Sequence, residues 1–408
     1  MRGLHIGVIG CGVAGMATAL LLSRRGHRTT VFDQADRPRP TGPASLVQPA
    51  GLAVLDRLRL LGTLSTLGTR IERIVGYAAG RRTVFDLRYR DLVPGAAALG
   101  LHPGALFQAL FEAVHEEPGI DVKPGTRIVA VDPVDEGVML VEAGGPAFGP
   151  FHMAIVADGA GSTLRSALGF SVREREDDWA VLHGFAPDPR GLFAGVARQI
   201  HAGTSRFAAV LPAGRLPDDP GGWPLAWVAW GIPAQALSRW RGDGMARWRA
   251  DAAALWPAAS PLWDFFQSPD DLDVLRWRDV AMARLGHGPV ALVGDAVRGG
   301  SPLLHQATTQ ALVDAALLAD AVEAARTVED ATAAYDAVRR PAVALGRTAA
   351  RCAAPFLLSK FTPLGGVRDA FAGPLLRLPG PGRRIAAALA GLGGAPPDVQ
   401  AQTSGLNN

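Results

Sequence analysis

Cysteine is almost missing from this chain. Two residues, Cys11 and Cys352, stand far apart in 408 positions and without metal-ligand spacing. That excludes a disulfide framework and a zinc site, and it fits a reducing cytoplasm. An excess of one charge is lacking as well: the formal net charge is +3, with no dense Lys/Arg stripe, so nucleic acid is not an expected partner. No internal repeat occurs. The longest uncharged N-terminal run, "IGVIGCGVAGMATALLL" (6–22), falls short of a typical spanning helix, and its glycines divide it into strand, tight turn and helix. No export signal and no membrane span are expected. What remains is a chain with 48% hydrophobic and 19% charged residues, enough to bury a large core in two or more packed lobes.

The first lobe opens with an apolar strand, "LHIGVIG" (4–10), a glycine turn, a helix "MATALLLSRRG" and a second strand, "HRTTVFDQ". Residues 45–62 read as a loop and an amphipathic helix, 71–91 as paired strands and 104–115 as a helix. The segment 120–143 reads as a meander with turns at Pro124-Gly125 and Asp135–Gly137. Strands return at 152–165 and 287–296, followed by helices at 306–324 and 328–351. Prolines at 355, 363, 374, 379 and 381 suggest short surface helices beyond. All nine tryptophans lie between Trp179 and Trp277, which marks a separate lobe. They suit either a packed core or an aromatic-lined pocket.

Within the first unit, Gly10, Gly12 and Gly15 have dinucleotide-binding spacing. The first permits the sharp turn, the second lets backbone approach a pyrophosphate, and the third seats the helix on the strand, whose N-terminus offers amide donors. Ala14 lies inside this turn. Asp33, with Gln34 beside it, closes the second strand about eighteen residues past Gly15, where a carboxylate can accept from ribose hydroxyls.

Two distant stretches, "VADGAGSTLR" (156–165) and "LVGDAVRGGSP" (292–302), complete the pattern. Together with the glycine turn they resemble the group A flavoprotein monooxygenases, single-component FAD-dependent aromatic hydroxylases, over roughly residues 1–345. The resemblance implies an α/β (α+β overall) fold. A Rossmann-like FAD-binding domain with a mixed sheet, 1–75, 92–175 and 276–345, would be interleaved with a sheet-plus-helix substrate domain, 76–91 and 176–275. A C-terminal helical segment, 346–394, and a flexible tail, 395–408, would follow. It further implies that Gly10, Gly12, Ala14, Gly15, Asp33 and Gln34 hold the ADP half of FAD. Asp158 and Gly159 would serve the FAD pyrophosphate and, as in many members, NAD(P)H, and Arg165, which ends that motif, would be a further cofactor-binding residue. Gly294 and Asp295 would hold the ribityl chain, Pro302 would lie near the reactive edge, and Gln306 would belong to the flavin turn. Arg39 is either a flavin contact or a solvated loop arginine. NADH or NADPH would act as transient reductant, oxygen would add at the flavin C4a carbon as a hydroperoxide, and an aromatic or polycyclic substrate would be hydroxylated or epoxidised.

The chain also departs from that pattern. Val297 and Arg298 replace an Ala-His pair, Pro103 replaces an arginine, and His305-Gln306-Ala307-Thr308-Thr309 replaces Gly-Gln-Gly-x-Asn. Two added Cβ groups are expected to obstruct close approach of backbone to the flavin's pyrimidine edge. Arg298 or Arg39 is expected to supply the lost cation. His305 is either a proton-moving residue or a filler of the turn. His102 and His183 read as structural histidines. Two rival readings follow: a related flavoenzyme with altered chemistry, or a non-catalytic FAD- or ligand-binding homologue.

Overall fold

The computed structural model describes residues 1–79, 82–299 and 305–391. Pro302 and the tail at 395–408 lie outside the described residues. The apolar run 4–10 forms the strand His5–Ile9, buried from its second residue, and Val13–Ser23 follows as a helix buried along nearly its whole length. Such a helix needs cover on both sides. It lies between the sheet and the long helix Ala307–Ala324.

Six strands make the first sheet, in the order Gly286–His287, Val290–Leu292, Met153–Val156, His5–Ile9, Arg28–Phe32 and Ile120–Lys123. The hairpin strand Gly286–His287 is antiparallel; the other pairings are parallel. The expected meander is therefore shorter than the sequence suggested. Ile120–Lys123 joins the parallel sheet beside Arg28–Phe32, and only Ile128–Val134, Gly137–Glu142 and Ala147–Phe151 form the antiparallel meander.

The second sheet has seven strands, in the order Asp273–Met282, Val172–Pro187, Leu225–Pro233, Arg206–Gly214, Val196–Ala202, Arg73–Ala78 and Thr83–Arg88. Its two faces bury different tryptophans. Trp230, Trp240, Trp248, Trp256 and Trp263 fill a core with the flanking helices, whereas Trp179, Trp227 and Trp277 share a cluster with Leu46, Ile71 and Ala98, from the strands that border the first lobe. The tryptophan-rich segment thus serves both as core and as an inward wall.

The C-terminal expectation needs correction. Val328–Leu357 is one helix that runs across the boundary placed at 345 and through Pro341 and Pro355. Both prolines are exposed, so the carbonyls they leave unbonded can reach water. Pro363–Arg377 and Pro381–Leu389 follow as separate helices.

Candidate active site

Register brings the motifs together. Ile9 pairs with Val156 on one side and Phe32 on the other, and Val156 pairs with Leu292, so four parallel strands end in line. The residues that follow them are Gly10–Gly12, Asp158–Gly159, Asp33 and Gly294–Asp295. This carboxyl edge is where open α/β sheets bind ligands.

Contacts among the glycines show how tightly the edge is drawn. Gly10 has φ +111°, and a Cβ there would lie 2.3 Å from the Ala157 carbonyl oxygen; one on Gly15 would lie 1.9 Å from the Gly10 oxygen. Gly294, at φ +68°, approaches Ala14 so closely that a Cβ would meet the alanine methyl at 2.6 Å. A Cβ on Gly12 would meet nothing within 4 Å. The first, second and third motifs thus touch one another, and an open cradle remains at Gly12.

Carboxylates surround this cradle. The Cys11 N–H donates to Asp33 Oδ2 at 2.8 Å and the Ala35 N–H to Oδ1 at 2.9 Å, so Asp33 braces the turn. Burial pushes the Cys11 thiol up to about 12, which keeps it protonated and unreactive. Burial also raises the Asp158 carboxyl, against a stabilising hydrogen bond from Ser162, and Asp158 Oδ1 is buried with no hydrogen-bond partner. Asp295 is raised by burial too, with Arg298 opposing the shift. An orphaned acceptor beside an open glycine turn suits a ligand that brings donors, as ribose and ribityl hydroxyls do. The residues present therefore fit FAD.

Several candidates have other partners. Arg165 is fully buried and directed into the protein: Nε donates to Glu174 Oε1 at 2.7 Å, Nη2 to the Ala160 carbonyl at 2.8 Å and Nη1 to the Ala296 carbonyl at 3.4 Å. It ties the second motif to the third instead of facing the cradle. Arg298 pairs through Nη2 with Asp314, so the compensating cation expected from it is half-neutralised inside the protein; its Nη1 is buried without a partner. Gln34 and Arg39 are exposed at the rim, and Gly159, at φ +83°, has open space around it. The Gln306 amide donates to the Ala388 carbonyl at 2.7 Å, and Gln48 Nε2, at the start of the helix Pro49–Arg57, to the Leu389 carbonyl at 3.0 Å, so the two together hold the C-terminal helix.

His305 adopts the left-handed conformation that favours glycine, with φ +51°. The obstruction expected from its Cβ is thus joined by backbone strain. Its ring meets Trp227 edge-on at 5.8 Å, and burial lowers its pKa to about 4. The imidazole is neutral near pH 7, so it can accept a proton but holds no imidazolium proton to give. Replacing His305 by glycine is expected to raise stability by about 1 kcal/mol through relief of the positive φ; adding Ala307→Gly, in the first turn of Ala307–Ala324, should give back much of that gain while the double variant tightens FAD binding. Thermal melts and equilibrium dialysis against FAD check both; unchanged or weaker retention counts against obstruction.

Sequence reasoning missed Asp314, Arg339 and Gln48. Asp314 is fully buried, pairs with both Arg298 and Arg339, and accepts the Gly294 N–H at 2.9 Å, so it anchors the Gly-Asp turn from behind. A charge inside the Ala/Leu-rich helix was the available signal. His102 caps its helix by accepting the Gly104 N–H at 3.1 Å. His183, read as satisfied, instead has a buried Nδ1 without a partner.

The family model described as "FAD binding domain" matches residues 4–346. The 3-amino-4-hydroxybenzoate 2-monooxygenase of Streptomyces cremeus is 29% identical over 384 residues, covering 88% of this chain and 89% of the relative. Among solved structures, pqsL, a probable FAD-dependent monooxygenase from Pseudomonas aeruginosa, superposes with a TM-score of 0.78 at 23% identity, over 90% of this chain and 100% of the other. Klebsiella pneumoniae HpxO, solved with FAD and uric acid, gives a TM-score of 0.78 at 20% identity, over 95% and 96% of the two chains. The motif-bearing edge and the extent of the family match lead to one assignment: this chain belongs to the FAD-binding domain family, among the FAD-dependent monooxygenases and aromatic hydroxylases that the sequence resembles.

Proposed function

We propose that this FAD-dependent monooxygenase oxygenates an aromatic or polycyclic small molecule in the cytoplasm, with molecular oxygen as co-substrate and NADH or NADPH as a transient reductant. The observation that carries the reading is the convergence of three distant motifs on one sheet edge around the open Gly12. When bound, FAD supplies the redox centre that exchanges electrons with the nicotinamide and with oxygen.

The chain's own residues position and enclose it. Gly12 and the amides that begin Val13–Ser23 receive the pyrophosphate, and Asp33 accepts from the ribose while holding the turn. Asp158 Oδ1 and Asp295 accept from the remaining hydroxyls, with Gly294 held by Asp314. Neutral His305 and Trp227 form an uncharged wall where water must be kept from the reacting atoms. No helix among the described residues is long and apolar enough to cross a membrane.

Purified protein is expected to be yellow and to release FAD stoichiometrically on denaturation. Its NAD(P)H oxidation under air should be accelerated by an aromatic substrate. A colourless protein that takes up no FAD would overturn the proposal. The Gln306–Ala388 bond favours one alternative, a flavoenzyme whose remodelled turn supports other chemistry. Its signature is a yellow protein whose NAD(P)H oxidation no aromatic accelerates.

A further inference from the structure

Four buried side chains on the inward sheet face, His183, Gln199, His201 and Trp227, carry a nitrogen or oxygen with no partner, and two of them, His183 and Trp227, stand together. His183 and Trp227 are each 3% exposed, and His183 Nδ1 and Trp227 Nε1 lack hydrogen-bond partners. Their rings lie 5.9 Å apart, on adjacent strands, and Trp227 meets His305 of the flavin turn at 5.8 Å. Trp227 thus borders the turn that carries His305, and His183 lies next to Trp227. Leaving such atoms unpaired inside a protein is costly; the N–H groups of Trp240, Trp248 and Trp263 in the opposite core are unpaired too, so Trp227 is marked by its place against His305 and not by the missing partner alone. The apolar cluster that holds Trp227 also contains Leu358 and Ala390, aliphatic residues of the C-terminal segment whose side chains have no polar atom to offer.

Chemistry narrows what can pair with them. The Trp227 N–H only donates, so the ligand must present an acceptor; His183 Nδ1 donates or accepts according to its tautomer. The alternating side chains that share this face on the two strands are Trp179, Val181, Phe185 and Ala229, none of them cationic. A carboxylate placed there would be desolvated without a counter-charge, whereas a carbonyl or hydroxyl would not.

Resting on the monooxygenase reading above, we propose that His183 and Trp227 are the specificity-determining pair of the substrate pocket and select an uncharged oxo- or hydroxy-substituted aromatic over an aromatic carboxylate. The ligand's oxygen accepts from Trp227 Nε1 and its neighbouring polar group pairs with His183 Nδ1. Bonds to both atoms require the apolar side chains of the cluster to part from the sheet.

Calorimetric titration of the FAD-loaded protein tests this with three probes of one ring size: 1-hydroxy-2-acetonaphthone, 1-hydroxy-2-naphthoate and 2-ethylnaphthalene. The ketone is expected to bind about tenfold or more tighter than either of the others, the worth of one or two buried hydrogen bonds. Trp227→Phe, which removes the N–H donor together with one ring of the indole, and His183→Leu should each abolish most of that margin, the hydrocarbon's affinity for the same variants reading the effect of the altered ring volume alone. His183→Asn, which restores a polar atom near the Nδ1 position, should recover part of it. A carboxylate that binds as tightly as the ketone overturns the proposal on the unmodified protein alone, as does a Trp227→Phe variant with the ketone preference intact. Oxygen uptake with NADH or NADPH in the same solutions separates the two readings. Selective binding without stimulated uptake leaves the pair standing and removes the monooxygenase; stimulated uptake without selectivity does the reverse.

Discussion

Asp314→Asn is expected to destabilise the protein by about 3–5 kcal/mol, because it leaves two guanidinium groups facing each other across a dry site. Asp314 is 0% and Arg339 1% exposed, and both Arg298 and Arg339 pair with the one carboxylate. Arg339 also donates to Gln310 Oε1 at 2.5 Å, and the Tyr335 hydroxyl donates to the Leu292 carbonyl at 3.0 Å at the end of the strand that precedes the Gly-Asp turn. An amide can still accept the Gly294 N–H, but it cannot balance two positive charges. On a chain of this size the loss corresponds to a fall in melting temperature of roughly 4–6 °C. The same variant should retain FAD less well, since Gly294 and Asp295 lose their rear anchor. Adding Arg298→Met and Arg339→Met to Asp314→Leu should return most of the stability, because an apolar replacement removes the burial cost of all three charges together. Differential scanning calorimetry of both variants checks the prediction. An Asp314→Asn protein that melts with the unmodified one would show that water reaches this network.

How much of this was legible in the sequence depended on whether the signal was local. Gly10, Gly12 and Gly15 could be read because each answers a constraint within a few residues, and the sheet edge followed from short apolar runs that end at Gly or Asp. Partnership across the chain carried no such mark. Nothing in the spacing of Asp314, Arg298 and Arg339 joins them, and only the incongruity of an acid among Val313, Ala315 and Ala316 hinted at a buried counter-charge. Alternation in "IDVK" announced a strand but not its neighbour, so Ile120–Lys123 was placed in the wrong sheet. Pro355 misled because the rule that proline ends helices is weakest on an exposed face. The flavin turn shows a subtler limit. A histidine in place of glycine announced an added Cβ, whereas His305 also takes φ +51°; residue type gave the obstruction and not the backbone strain.

Gly12→Ala and Gly15→Ala are expected to fail in opposite ways, although the two glycines belong to one motif. A methyl on Gly15 would sit 1.9 Å from the Gly10 carbonyl oxygen and 3.4 Å from the Ala157 methyl, contacts that a backbone atom cannot yield without lifting Val13–Ser23 off the sheet. That helix is buried over Ala14–Ser23, so displacement would disturb the largest apolar cluster among the described residues. Gly15→Ala should therefore destabilise the protein with or without cofactor, by several kcal/mol, as overpacking against fixed backbone does. Gly12 has an ordinary extended ψ and φ as the residue before the helix, and its added methyl would meet nothing within 4 Å of protein. Gly12→Ala should melt within about 1 °C of the parent when FAD is absent, since surface substitutions of this kind rarely exceed ~0.5 kcal/mol. Its methyl instead enters the space through which a pyrophosphate would approach the turn, and FAD affinity should fall by about 100-fold, the equivalent of a lost close backbone contact of roughly 2.7 kcal/mol. Melting curves of the two apoproteins and fluorescence titrations with FAD separate the outcomes. Should Gly12→Ala bind FAD as the parent does, the cradle would lie elsewhere along the sheet edge, and the roles given to Asp33, Asp158 and Asp295 would have to be assigned afresh.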